Sequence, residues 1–528
     1  MIVNRRTLIS TATALCLIFG TASCSTSETV DDTDRAAGPP QSGGTLTVAV
    51  LNEITASMNP HETNDPSLAG FIAPVYSKLV DFAATEDGSL GDVVGDLAES
   101  WEISDDGLTY TFTLRSGVRW HDVAPLNGRD LVAADVVASF EDLFASTEVV
   151  NMFPPVTSVT APDEVTVVFT LSEPYAPMLQ NLAFHYNVVL PPEGIEGEFD
   201  LGSQAIGTGP FMFESHTPDS EWVLVKNPDY YEPEKPYLDE LRFVIVPDAA
   251  AQTAALRSGR VDVGSLRDLA TAEQLVDSGS LDMITSPVAP ATFYINPAQE
   301  PYDDIRVRRA VAMAIDWDGM GKAIRGQYSL SSIVPPTAGA YALTEDEVRE
   351  LRPYDPEQAR QLLTEAGHPD GFATTFLLQR TSEEDIREAQ WMQEDLKAIG
   401  IDATLEIVDP GTAIDRRRAG NFELHKALRG QVLPDQFLTD FEPGARENYT
   451  NIDDPTLQAM IEQSRATSDE AERAEQIREI ARYMETEVAT VLYGPVIYAF
   501  NLYRTEVHDY RTSPIRHGRA WADVWIEQ

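Results

Sequence analysis

Two thiols come first among the residues that could do chemistry, Cys16 and Cys24, and both precede any segment able to fold. A thiolate can attack a carbonyl, ligate a metal or form half of a disulfide. With 2 cysteines in the whole chain, everything after Cys24 is left with none of these options. The 8 histidines are scattered from His61 to His517, and no pair has the close helical spacing of a zinc protease. No metal is expected. No G-x-S-x-G elbow occurs, so a serine hydrolase has no motif to stand on. Gly207-Thr208-Gly209 runs into Pro210, and Met212 stands where a dinucleotide loop needs its third glycine. Gly319-Met320-Gly321-Lys322 has Asp316 for the first glycine of a phosphate loop and Ala323 for its Ser/Thr. The 85 acids single out no catalytic pair. No catalytic residue and no cofactor are expected, and a secreted hydrolase is the weaker alternative.

Arg5 and Arg6, an apolar run from Leu8 to Gly20 and the small residues Thr21-Ala22-Ser23 before Cys24 have the order of an export signal. The arginine pair followed by Thr7-Leu8-Ile9 also resembles a twin-arginine signal. Cys24 after small residues resembles a lipobox, with Thr21 where leucine is usual, and the expected outcome is removal of residues 1–23 and acylation of Cys24. Residues 24–42 are rich in Ser, Thr, Asp, Gly and Pro and read as a flexible tether from a lipid anchor. The expected location is extracytoplasmic, at the outer face of a cell membrane.

The 528 residues are 43% hydrophobic, enough for more than one core, and no later run approaches the roughly 20 apolar residues of a membrane span. Net charge is −47, and 6 of the 38 basic residues are lysine. A nucleic-acid partner is excluded for want of a basic stripe, and the spread acids read as a solvated surface.

The elements that must position any site mix strands and helices. Thr45 to Leu51 alternates as a strand, as do Leu108 to Leu114 and Val165 to Leu171, while Leu131 to Phe144 has helical spacing. Pro66 to Val80 is also expected to be helical. Phe372 to Leu378, Glu383 to Ile399 and Ile401 to Val408 follow β-α-β order, which predicts an α/β lobe in the second half. Asp469 to Glu487 is a charged amphipathic helix.

Several stretches carry a resemblance: GDLAESWEISDDGLTYTFTL from Gly95, Gly207 to Phe211, KNPDYYEPEKPYLDELRFVIVPD from Lys226, ALRSGRVDV from Ala255, PYDDIRVRRAVAMAID from Pro301 and YDPEQARQLLTEAG from Tyr354. In that order they resemble the family 5 extracellular solute-binding proteins, the peptide, dipeptide and nickel binders of ABC importers. The resemblance implies an α/β fold of two lobes, periplasmic-binding-protein-like, with mixed sheets, a hinge and an extra inserted domain. It places the first lobe at residues 43–58, 205–288 and 494–528, the inserted domain at 59–204 and the second lobe at 289–493. It implies no enzyme: the protein captures a small solute, a peptide or amino-acid conjugate, by lobe closure and hands it to a membrane permease, as a monomer. A protein that presents the solute to a membrane sensor is the other reading.

Dipeptide binders of this type carry an aspartate-rich loop that meets the ligand ammonium, and Leu428 to Phe437 aligns with it. Asp435 is retained after Pro434, whereas Leu433 stands where an acid is common. Arg429 is the candidate for a bidentate pair with a ligand carboxylate. Gln431 in the same loop and Trp391 on the preceding helix complete the expected ligand contacts.

Overall fold

The computed structural model describes residues 38–53, 57–62, 66–85, 88–146, 153, 155–379, 382–428, 432–512 and 518–528. A mixed sheet of ten strands runs through the protein. Its order is Ile401–Val408, Phe372–Gln379, Leu424–Leu428, Leu281–Ile295, Val491–Arg504, Val263–Leu266, Thr45–Val50, Glu240–Ile245, Glu221–Lys226 and Phe211–Thr217. The protein is two-lobed because the parallel strands lie in two groups. Thr45–Val50 pairs in parallel with Glu240–Ile245 and Val263–Leu266 in the first lobe, and Phe372–Gln379 with Ile401–Val408 and Leu424–Leu428 in the second.

Between the groups lie the two longest strands, 15 and 14 residues, antiparallel to each other. Leu281–Ile295 pairs with Val491–Arg504 along almost its whole length, and its register shifts twice, between Pro287 and Ala289 and between Pro290 and Thr292. Proline has no N–H to give a ladder, and a bulge bends the strand that carries it. The ladder between the two long strands is therefore irregular from Pro287 to Thr292.

Each group has its own core. Phe293, Trp317, Phe376 and the helices around them form that of the second lobe. In the first lobe one sheet face buries Phe71, Trp222 and Phe243, and the other buries Leu256, Leu266 and Phe500. A separate four-stranded antiparallel module, ordered Ala98–Ile103, Thr109–Leu114, Thr166–Leu171 and Val156–Thr160, alternates buried and half-buried residues along its inner strands. The helix Ala133–Ala145 covers its buried face, with the Phe140 and Phe169 rings edge to face at 5.0 Å between centroids.

Part of the acidity has a local purpose. Asp248, Asp268, Asp304, Asp316, Asp355, Asp409, Asp454 and Asp469 each cap a helix N-terminus, accepting a backbone N–H and facing the positive end of the helix dipole. One expectation is corrected. The helix expected over Pro66 to Val80 spans only Pro66–Ile72, and Val80–Phe82 is a strand. Pro74, which disfavours helical backbone at the residue before it, stops the helix.

Candidate functional site

In an open α/β sheet, loops and helix N-termini converge at the carboxyl ends of the parallel strands, and ligands bind there. In the first lobe those ends are Val50, Ile245 and Leu266. Val50, with Phe243, Ser265 and Arg267 near the other two ends, lines a cavity of about 370 Å³, within the usual ~300–1,000 Å³ of small-molecule sites. Its apolar wall includes Val48, Phe71, Phe243 and Trp521, and its inner side is formed by Ser286 to Val288 and Asn501 from the two long central strands. The cavity thus adjoins the bulged part of the sheet.

Its polar groups are few. Gln252, in the first turn of the helix Ala249–Ser258, is fully buried. Its Nε2 donates to the Val246 carbonyl at 3.2 Å, which fixes the amide orientation, and its Oε1 accepts from no group. The Asn501 Nδ2 donates to the Ile284 carbonyl at 3.3 Å and to Ser286 Oγ at 3.2 Å, and the Ser286 and Thr512 hydroxyls are hydrogen-bonded to each other at 2.6 Å. The charged lining is Arg267, directly after the strand Val263–Leu266, and Arg511; no carboxylate lines the cavity among the described residues. Arg267 touches the Tyr498 carbonyl at 3.4 Å, and Arg511 lies 3.9 Å from Asp509.

In the second lobe the parallel strands end at Gln379, Val408 and Leu428. Arg429 and Gln431, expected as ligand contacts, lie outside the described residues, as does Cys24. Asp435 is described and buried in the first turn of the helix Pro434–Thr439. It accepts from the Tyr175 hydroxyl at 2.8 Å and from Arg465 Nε at 2.8 Å, and Arg465 also pairs with Glu442. Burial, and then the Asp435 charge, push the Tyr175 hydroxyl well above its ordinary range. The structure thus places Asp435 in an ion pair with Arg465 inside the second lobe, and Tyr175 joins that pair to the module by a hydrogen bond. Trp391 is half-buried on the helix Glu383–Ala398, packed against the second-lobe core.

Two groups had no sequence signal that singled them out. Gln252 is one. The other is a buried set of four charges at the end of the strand Leu424–Leu428: Lys426 contacts Asp385 and reaches Glu388 at 3.1 Å, while Arg325 Nε donates to Glu388 at 2.7 Å. Lys426 is one of the six lysines of the chain and sits between His425 and Ala427 in the middle of the strand LHKAL, an oddity that could have marked it. Among the described residues no group of three or more His, Cys, Asp or Glu could hold a metal ion, and no helix is long and apolar enough to cross a membrane.

Residues 92–438 match the model of the bacterial extracellular solute-binding proteins, family 5, middle part. The dipeptide-binding protein of Escherichia coli K12 is 30% identical over 478 residues, covering 84% of this chain and 87% of the relative. Di/tripeptide-binding protein 2 of Pseudomonas aeruginosa is 32% identical over 486 residues, covering 84% and 87%. Among solved structures, a periplasmic binding protein of Helicobacter pylori associated with an ABC transporter, in complex with peptide STSA, aligns with a TM-score of 0.76 at 26% identity, over 92% of this chain and 99% of the other.

Proposed function

This chain belongs to the bacterial extracellular solute-binding proteins of family 5, which serve ABC importers, and from that premise we propose that it captures a small peptide-like solute between its lobes and delivers it to a membrane permease. The observation that carries the reading is the pair of long central strands, bulged between Pro287 and Thr292 beside the first-lobe cavity. A sheet that is continuous but irregular at one level can bend there while each lobe keeps its own core, which is hinge closure. Capture of this kind needs no chemical step. The lobes exclude water from the solute, and the closed form is the one a permease would recognise.

We further propose that the hinge lies where residues 288–289 and 493–494 pass between lobes. Arg429, Gln431 and Trp391 remain the proposed contacts from the second lobe, whereas Asp435 is buried and committed to Tyr175 and Arg465. Cys24 is the proposed acylated N-terminus, anchoring a monomer outside the cytoplasm. Mass spectrometry of the native protein is expected to find a diacylglyceryl group on Cys24 and no residue before it.

The test of capture is a thermal-shift screen of peptides, oligosaccharides and chelates, with X-ray scattering on each hit. A solute at 100 times its Kd stabilises the native state by about 2.7 kcal/mol, so melting rises with concentration. The radius of gyration is expected to fall on saturation. A bound solute that leaves it unchanged overturns the closure.

A further inference from the structure

Two arginines of the second lobe reach its contact with the four-stranded module, and they are provided for differently. Arg465 Nε donates to Asp435 at 2.8 Å, and Arg465 also pairs with Glu442. Arg473, in the first turn of the helix Glu470–Tyr483, is 3% exposed and forms no ion pair among the described residues. Its Nη1 donates to Gln180 Oε1 at 3.3 Å, while its Nε and Nη2 find no acceptor there. Gln180 belongs to the module's helix Met178–Leu182, and its Nε2 donates to the Tyr341 hydroxyl at 3.2 Å.

The charge stands where the module meets the second lobe. The guanidinium carbon of Arg473 lies 5.4 Å from the centroid of the Tyr341 ring. Burial pushes up the hydroxyls of Tyr110 in the module and Tyr341 in the second lobe, and the Arg473 charge opposes that push at both. Glu470, one turn earlier on the same helix, is exposed and accepts from the Tyr341 hydroxyl at 3.3 Å. Parting the contact takes Gln180 and Tyr110 away and returns the guanidinium to water.

A guanidinium keeps its charge in a protein interior. Burying one without a counter-ion costs more than a single amide oxygen and a ring face return, and a hydrated one carries no such cost. Arg465 meets that cost with two carboxylates, and Arg473 does not.

Resting on the solute-capture reading above, we propose that Arg473 is a device against premature closure. Docking of the module on the second lobe strips water from this ion, so the solute-free protein is held towards the open form and closure waits for solute contacts. Gln180 is its counterpart, an amide where a carboxylate would lock the contact. The sign of the effect separates this role from that of an ordinary contact, whose loss weakens closure and binding. Removing an ion set against closure raises the fraction of molecules competent to close, and apparent affinity rises with that fraction.

The experiment is X-ray scattering on the solute-free full chain and titration calorimetry with the twenty Ala-X dipeptides, on the wild type, Arg473→Met and Gln180→Glu. Methionine keeps an apolar stem without the charge, and glutamate keeps the shape of glutamine while supplying the counter-ion. Each variant is expected to have a smaller solute-free radius of gyration than the wild type. Each is also expected to bind the tightest dipeptide at least about fivefold more tightly. Weaker binding, a larger solute-free radius or wild-type behaviour in either variant overturns the proposal and leaves solute capture standing. If Arg473→Met does not fold, Gln180→Glu decides alone. If no dipeptide binds the wild type, the peptide-like part of the capture reading falls, and the solute-free radii still decide the role of Arg473.

Discussion

The four-stranded module touches both lobes, and the two contacts are made of different material. Towards the first lobe the joint is largely backbone. His121 N–H donates to the Gly207 carbonyl at 2.9 Å, Gly207 N–H donates to His121 Nδ1 at 3.2 Å, and His121 Nε2 meets the Gly209 carbonyl at 3.1 Å. Burial pushes the His121 ring down to about 4, so it is neutral and uses one nitrogen as acceptor and the other as donor. Gly209 N–H and Phe211 N–H continue the joint to the carbonyls of Val75 and Pro74. Towards the second lobe the contact is mainly side chains: Tyr175 on Asp435, Gln180 on Tyr341 at 3.2 Å and on Arg473 at 3.3 Å, with two backbone bonds from Leu90 to Thr337 and from Ala176 to Arg465. Val432 and Leu433 also pack into the module core.

The difference bears on which joint can open. Interlocked peptide groups have no room for water and no second arrangement, whereas a tyrosine, a carboxylate and a guanidinium can each be hydrated when they part. On the proposed closing motion the module travels with the first lobe and docks on the second.

The largest effect is expected at the backbone joint. A Cβ on Gly207 would lie 2.1 Å from the Val75 carbonyl oxygen, and that atom is backbone and cannot turn aside. Gly207→Ala is expected to cost about 3 kcal/mol in urea unfolding. Wild-type stability in that variant would show that the joint has slack, and the contrast between the two contacts would be lost.

Tyr175→Phe should act on the other joint and read out differently. Asp435 keeps Arg465 but loses a hydroxyl donor, a hydrogen bond to a charged group worth about 1.5–3 kcal/mol. If the contact opens, the loss appears as a larger radius of gyration without solute and as weaker solute binding, with the urea midpoint almost unmoved. A fall in the urea midpoint equal to that of Gly207→Ala would instead make both joints permanent.

A smaller, pH-dependent effect sharpens the first joint. Asp96 accepts from the Tyr231 hydroxyl at 2.5 Å and from Lys78 N–H at 2.7 Å, and burial, then the neighbouring Asp81 charge, push its carboxyl up to about 6. A folded value above the unfolded one means that the native state holds the proton more tightly. The stabilisation is full below about pH 4 and is lost as pH rises to about 6, by no more than about 1.4 kcal/mol per pH unit. Asp96→Asn should therefore gain on the wild type as pH rises through that window in chemical unfolding at stepped pH. A constant difference across it would remove Asp96 from the titration of this joint.

Much of the local structure was legible before any coordinates. The strand read from Thr45 is Thr45–Val50, the helix read from Glu383 is Glu383–Ala398, and Gly259, Gly367 and Gly400, just past the helices Ala249–Ser258, Pro356–Glu365 and Glu383–Ala398, carry φ of +71°, +96° and +94°. These follow from apolar spacing and from backbone shapes open to glycine. The strand Leu281–Ile295 was missed because Pro287 and Pro290 argue against a strand, yet they sit at the irregularities of its ladder with Val491–Arg504.

The sequence by itself determined the order of most elements, because periodicity and turn chemistry involve residues a few positions apart and survive in every context, while the two lobes were implied by the resemblance of its motifs to a family. Tertiary structure alone decided the partners of the polar groups. Asp435 reads as a carboxylate open to a ligand, and chain reversal gives it Arg465 from thirty positions later and Tyr175 from 260 earlier. Gln252 has nothing in its neighbourhood to mark it, and whether its acceptor meets a donor depends on which strands end around it. A charge or an amide is satisfied through space, and only the folded chain says what stands there.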